Sequence, residues 1–373
     1  MRQRISGGLI AVFISVTLLV ACTPKAAPAP SPGPVAPQGT PAKPALAAPT
    51  MIPEDAAWAK VVAEAKKEGT VNFYSGGSWG GADVIMLTGA FKAKYGISVE
   101  SITGMAADTL ERLKTEKRMG TIVADVFTTT TAIVFEAKKL GFTVSLGDLP
   151  ALQEKDIWTL EINAGDPEKH MLGYYITDFV SWVNTKMVPP GGEPRGLKDL
   201  LLPQWSGQII STDPVTHTGL YIFFGTYVNR GIVDWEYVKK LGNQKMILTP
   251  SSDKSALLLA QGEAPFLLNG PTSIVHPFVI KGAPIRPVPL NEGTVTQQGV
   301  VAVIKGAPHP NAAKLFVNWL FTREGQEIIG RAKGLPSVRK DVADQTPTAA
   351  RFTPSTRLLM TLGEYDLVAK LTL

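Results

Sequence analysis

Ser78 sits in Gly76-Gly77-Ser78-Trp79-Gly80, a literal G-x-S-x-G, directly after the apolar run Thr70-Val71-Asn72-Phe73-Tyr74. A strand, this turn and a following helix are how a hydrolase presents a nucleophilic serine. That chemistry also needs a histidine base and an orienting acid, in the chain order Ser, Asp/Glu, His. Of the four histidines, His309 lies in the Pro-rich turn Ala307-Pro308-His309-Pro310 and His170 in a charged loop, which leaves His217 and His276 to line a site. Ser78 also follows the first strand of the body, whereas a nucleophile elbow normally comes after several. The same stretch suits a second chemistry, the holding of an anion. Ser75 and Ser78 offer hydroxyls, Gly76, Gly77, Gly80 and Gly81 leave their N–H groups accessible, and the next helix adds a partial positive charge. The residues favour holding over reacting.

Three more loops carry the same kind of donor. Thr128, Thr129, Thr130 and Thr131 follow a short apolar run at 124–127, where one threonine caps a helix and another faces a ligand. Asp213-Pro214-Val215-Thr216-His217-Thr218-Gly219 joins a strand to a helix beginning near Leu220, with hydroxyls at Thr216 and Thr218. Asn269-Gly270-Pro271-Thr272-Ser273 follows a strand at 266–268. Trp79, Tyr175, Phe179 and Trp182 are candidates for an apolar wall. Arg195 and Arg286 sit beside glycine or proline in what read as surface loops and are not taken as site residues.

Alternating elements must position these loops. Residues 54–68 show helical spacing of Trp58, Val61, Val62 and Ala65, closed by Gly69. A strand at 71–74, a helix at 87–95, a strand at 97–102, a helix at 109–119, a strand at 124–127 and a helix at 131–140 follow. This alternation predicts a parallel sheet with helices on both faces, and ligands sit beyond the C-terminal ends of such strands. Two long β-rich runs, 172–183 and 294–304, bracket strands at 208–211 and 266–268 and helices at 235–241 and 255–261. Helices at 311–321 and 323–331 close the body, with Thr322 as an N-cap for the second. A chain that leaves one lobe, builds another and returns gives two lobes with a cleft and a hinge.

The chain has 373 residues, 45% apolar and 18% charged, enough for a packed core. Its net charge of +5 includes Arg2 and Arg4 of a leader, and no Lys/Arg stripe with interleaved aromatics appears, so nucleic acid is not expected as a partner. Residues 1–21 read as a secretory signal peptide whose apolar stretch, Leu9 to Val20, falls short of the roughly 20 residues that span a bilayer. Leu19-Val20-Ala21-Cys22 resembles a bacterial lipobox, with Cys22 as the lipidated N-terminus of the mature chain. Cys22 is the sole cysteine, so no internal disulfide forms. Residues 22–52 form a disordered Pro/Ala-rich tether; 24–50 hold nine prolines and reach at most roughly 80 Å when extended.

The ordered series of motifs resembles a known family. Trp58-Ala59-Lys60-Val61-Val62-Ala63-Glu64-Ala65-Lys66-Lys67-Glu68-Gly69-Thr70-Val71-Asn72-Phe73-Tyr74-Ser75 opens it. Leu197-Lys198-Asp199-Leu200-Leu201-Leu202-Pro203-Gln204-Trp205-Ser206-Gly207 and the Asp213 loop follow, then Gln261-Gly262-Glu263-Ala264-Pro265. Lys305-Gly306-Ala307-Pro308-His309-Pro310-Asn311, Arg323-Glu324-Gly325-Gln326-Glu327 and Gly334-Leu335-Pro336-Ser337-Val338-Arg339-Lys340-Asp341 complete it. This is similar to the solute-binding proteins of ABC importers, type II periplasmic class, in the branch that includes ferric-iron binders. The resemblance implies an α/β fold: two Rossmann-like lobes joined by two crossing strands, with a ligand cleft between them. It divides the body into 53–178 with 297–373 as one lobe and 179–296 as the other. It implies a monomeric receptor without enzymatic activity or cofactor, whose partners are a small solute, probed by the loops above, and membrane permease subunits. The iron binders supply tyrosine phenolates, often as a pair after the Gln-Gly-Glu segment. Here 266–276 has no tyrosine, Val183 stands where another often precedes the asparagine, and adjacent Tyr174 and Tyr175 are expected to face opposite ways. Tyr74 and Tyr175 remain for iron, which favours an organic anion instead. No zinc spacing or EF-hand loop appears.

Overall fold

The computed structural model describes residues 53–364, apart from 77–78, 155, 161, 163, 165, 215–218, 353–355 and 362. The leader, Cys22 and the tether lie outside the described residues, as do Gly77, Ser78, Thr216, His217 and Thr218.

The body opens with α1 (Pro53–Glu68), β1 (Thr70–Gly76), α2 (Gly81–Tyr95), β2 (Ser98–Gly104), α3 (Ala106–Arg118), β3 (Val126–Thr130) and α4 (Thr131–Lys139). The long strand β4 (Leu172–Asn184) leads to β5 (Ile209–Thr212), α5 (Gly219–Asn229), α6 (Trp235–Gly242), β6 (Ile247–Thr249) and α7 (Ser252–Gln261). Then come β7 (Phe266–Pro271), α8 (Thr272–Ile280), β8 (Ile285–Val288) and β9 (Thr294–Val303). The helices α9 (Pro310–Leu320) and α10 (Arg323–Lys333) precede the last strand, β10 (Arg357–Leu359).

One sheet runs through the body in the order β2-β1-β3-β9-β4-β7-β5-β6, with β8 beside β4 and β10 beside β9. The strands β2, β1 and β3 are parallel, as are β7, β5 and β6; β9 and β4 cross between these groups antiparallel to each other. All 13 residues of β4 and all 10 of β9 are buried, because helices cover both faces, and polar members such as Asp178, Gln297 and Gln298 are buried with them. Each lobe has two cores, one per face. Phe73, Phe91, Phe316 and Trp319 pack on one face of the first lobe, and Phe127, Leu113 and Val134 on the other. In the second lobe Phe179, Phe223, Tyr227 and Phe266 fill one face, and Trp182, Ile210 and Val275 the other.

Local chemistry fixes the helix ends. Glu68 accepts from the backbone N–H groups of Asn311 (3.2 Å) and Ala312 (2.7 Å), placing a carboxylate on the N-terminus of α9. Thr322 caps α10, its hydroxyl accepting from the Gly325 N–H at 3.2 Å, as its position predicts.

One expectation is corrected. Tyr174 and Tyr175 do not diverge: the β4 register shifts between Gly173 and Tyr175, and the two rings meet edge-on, 4.9 Å between centroids. The terminal segment packs beside the crossing strands. Leu358 and Met360 are buried among Phe179, Tyr227 and Val295, and Arg230 at the end of α5 holds Glu364 at 2.7 Å. β10 pairs parallel with the start of β9.

Candidate functional site

The strand ends face one another across the crossing strands. Thr130, the end of β3, pairs with Gly299 of β9, and Gly299 pairs with Tyr175 of β4. Pro271, the end of β7, pairs with Phe179. The two ends are therefore four residues apart along β4, about 13 Å at the usual strand rise. That gap suits a small molecule, and the N-termini of α2, α4 and α8 all begin at its edges.

Most hydroxyls at these ends are already engaged. Ser75 is buried; its hydroxyl accepts from the Trp79 N–H (2.9 Å) and donates to the Trp79 carbonyl (3.2 Å), folding the loop upon itself. Thr129 donates to the Gly76 carbonyl at 2.8 Å. Thr128 donates to the Val300 carbonyl at 2.7 Å and lies 2.9 Å from the Tyr174 hydroxyl. Thr130 caps α4 with its backbone alone and makes no side-chain hydrogen bond among the described residues, so it is the threonine of this run with an open hydroxyl. In Ser75→Ala the buried Trp79 N–H loses its acceptor, which is expected to lower stability by about 1–2 kcal/mol; urea unfolding reads this directly.

On the opposite edge, Thr272 lies 3.2 Å from the Thr177 hydroxyl, and Ser273 accepts from Thr177 at 3.1 Å. Thr177, in mid-gap, is a residue that sequence reading missed, because a threonine inside a long strand carries no loop signal. Ser211 and Thr212, at the end of β5, were missed likewise; their buried hydroxyls have no partner among the described residues. Asn269 is buried at φ +64°, and Gly270 lies against Trp182, where a Cβ would come within 2.7 Å.

The aromatic candidates point inward. Trp79 is 3% exposed, stacks on Tyr174 and donates from its indole N–H to the Tyr174 hydroxyl. Tyr175 lies edge-on to Trp79, and Phe179 and Trp182 belong to the cores. Against the Trp79 and Tyr175 rings lies a group that sequence reading missed, the ammonium of Lys333 at the end of α10. Its Nζ is 4.1 Å from the centre of the Trp79 ring, 5.3 Å from that of Tyr175 and 3.8 Å from Asp83 Oδ2 in the first turn of α2. Burial holds the Lys333 pKa down to about 8, and burial raises that of Asp83.

Tyr74 is committed elsewhere. Its hydroxyl donates to Glu116 at 2.6 Å beneath the Arg112 guanidinium, and burial, followed by Glu116, pushes its pKa up to about 12. His309 binds Asp125 at 2.8 Å, and His170 lies 3.0 Å from the Thr143 hydroxyl. Arg286 stands on β8, paired with Glu193 at 3.0 Å, rather than in a loop. No group of three or more His, Cys, Asp or Glu side chains is placed to hold a metal ion among the described residues.

A family model described as bacterial extracellular solute-binding protein matches residues 87–353, well over half of the chain. The chain belongs to that family. This solute-binding protein is 27% identical over 276 residues to an uncharacterized protein of Haemophilus influenzae, a match that covers 70% of this chain and 76% of that one. In fold it is similar to iron-bound HitA from Pseudomonas aeruginosa (TM-score 0.66, 18% identity, 81% of this chain and 98% of that one). It is also similar to AfuA from Actinobacillus pleuropneumoniae with fructose-6-phosphate bound (TM-score 0.62, 22% identity, 82% and 96%). These likenesses establish the type II periplasmic binding protein fold. The family description places the solute-binding protein outside the cytoplasm.

Proposed function

We propose that this protein captures a small organic anion in the gap between the ends of β3 and β7 and passes it, chemically unaltered, to the permease of an ABC importer. The observation that carries the reading is the facing of strand ends across four residues of β4, with three helix N-termini at the edges. A ligand that touches both edges favours the closed arrangement of the lobes. The groups present are donors to oxyanions: helix N-termini, the open Thr130 hydroxyl, Thr177 and Ser273. Of the chemistries that HitA and AfuA hold, a sugar phosphate suits this donor set better than iron, because Tyr74 is bound to Glu116 and Tyr175 is buried against Trp79, Tyr174 and the Lys333 ammonium. The lipobox at Cys22 and the Pro-rich stretch after it support a monomeric receptor anchored to the membrane by lipid on an extended tether.

A thermal-shift screen of the full-length chain in detergent tests this, using carboxylates, phosphonates, sugar phosphates and ferric citrate. A true solute at a hundred times its Kd adds about 2.7 kcal/mol, and Thr130→Val should weaken that solute five- to tenfold without altering the apo protein. A tyrosinate colour with ferric citrate and no shift from any organic anion would refute the reading. Turnover of ester substrates that vanishes in Ser78→Ala would replace it with a hydrolase.

A further inference from the structure

The groups assigned to the gap above are neutral donors, hydroxyls and helix N-termini. A cation lies behind its first edge. Lys333 ends α10, and its side chain is 4% exposed. Its Nζ faces the rings of Trp79, at 4.1 Å, and Tyr175, at 5.3 Å. Tyr175 pairs with Gly299, which pairs with Thr130 at the end of β3, so the ammonium lies against a residue of that edge.

Three observations lead from this cation to the solute. The first is its cost. A buried ammonium lowers stability, and charges kept at such a cost gather at functional sites. The second is the looseness of its carboxylate pairing. Asp83 Oδ2 stays 3.8 Å away, beyond the roughly 3.2 Å limit of a good N–H···O bond, whereas an oxyanion seated on an ammonium comes to about 2.8 Å. The third is access. Trp79 and Tyr175 are buried, but the Asp83 side chain is 32% exposed. Asp83 is the third residue of α2, whose N-terminus begins at the edge of the gap. The way from water to the ammonium therefore passes the Asp83 carboxylate, at a place where the helix N-terminus also favours an anion.

We infer that Lys333 is the residue that selects anions in the gap, and that Asp83 is the partner which the solute's oxyanion displaces. The Asp83 carboxylate turns out toward water as the oxyanion comes in, so one anion replaces another on the buried cation. A neutral solute gains nothing by that exchange, which makes charge the criterion of entry. This rests on the capture reading above, and it names the side chain that reads the solute's charge.

Isothermal titration of the full-length chain in detergent tests it, at about pH 6, below the Lys333 pKa of about 8, so that the ammonium is charged. The probes are glucose 6-phosphate, glycerol 3-phosphate, phosphonoacetate and succinate. Asp83→Asn removes the competing charge and keeps the shape of the side chain; it should bind the best of these anions about fivefold more tightly than the unmodified protein. Lys333→Met should bind that anion at least about tenfold more weakly, although its urea midpoint rises. A purely structural ion pair predicts the opposite sign for Asp83→Asn, since losing the pair would loosen α2 on α10 and weaken capture. If an anion binds the unmodified protein but Asp83→Asn leaves its affinity unchanged or weaker, or Lys333→Met retains it in full, the inference is overturned and the capture reading stands. If none of the anions binds any of these proteins, the capture reading falls and the inference falls with it.

Discussion

Gly299→Ala is expected to unseat Tyr175, lower stability by about 3 kcal/mol and abolish solute capture. A Cβ at Gly299 would stand 2.0 Å from Cε1 and Cζ of the Tyr175 ring and 2.6 Å from its hydroxyl. The ring has no room to retreat, since Tyr174, Trp79 and the Lys333 ammonium pack around it. It must leave its seat at the level where β3 ends, which is one edge of the gap. A double-mutant cycle separates this contact from other effects. Tyr175→Ala removes the clash, so Gly299→Ala placed on that background should add almost no further loss in a denaturant titration. Strict additivity of the two changes would show that the ring is not what glycine accommodates.

Lys333 produces the second large effect, and it depends on pH. Its folded-state pKa of about 8 lies below the ordinary lysine value of 10.5, because the ammonium is buried. Between those values the unfolded chain keeps a proton that the native protein has released, so native stability rises with pH across that window. The shift corresponds to about 3 kcal/mol from this group. Below pH 8 both states are charged and the whole burial penalty is present. Lys333→Met is therefore expected to be the more stable protein at pH 7, because the ammonium's burial penalty is gone while the Asp83 carboxylate, 32% exposed, keeps its contact with water. That advantage should shrink steadily above pH 8 and vanish by about pH 10.5. Parallel urea titrations of the two proteins cancel the contribution of the buried tyrosines, which is common to both. A difference that stays constant from pH 7 to pH 10 would rule out a buried charge at this position.

What was legible in the sequence is what depends on near neighbours along the chain. The spacing of Trp58, Val61, Val62 and Ala65 gives α1, the threonine before Arg323 gives a cap, and two long β-rich runs give the crossing strands. The loops at Thr130 and Thr272 were found because strand-to-helix junctions carry small hydroxyl residues. What each hydroxyl does was not legible. Ser75, Thr128 and Thr129 look as free as Thr130 in sequence, yet their partners are Trp79, Val300 and Gly76, fixed by the packing of distant segments. Strand alternation predicts Tyr174 and Tyr175 on opposite faces, but an irregularity in the β4–β9 pairing brings them together. Lys333 looks like a solvated residue in a basic helix end, and only the docking of α10 on α2 buries it.

The sheet order also dictates when each part of the molecule can be completed during synthesis. Strand β3 finds its neighbour β9 only through pairs such as Val126 with Val303, whereas β5, β6 and β7 pair among themselves within 209–271. Long-range pairings of that kind are slow to form. The second lobe can therefore consolidate while the first still waits, with β1, β2 and β3 gathered beside an unfilled place in their sheet. A stall in translation just before residue 294 would leave that edge bare, and a bare edge recruits strands from other chains.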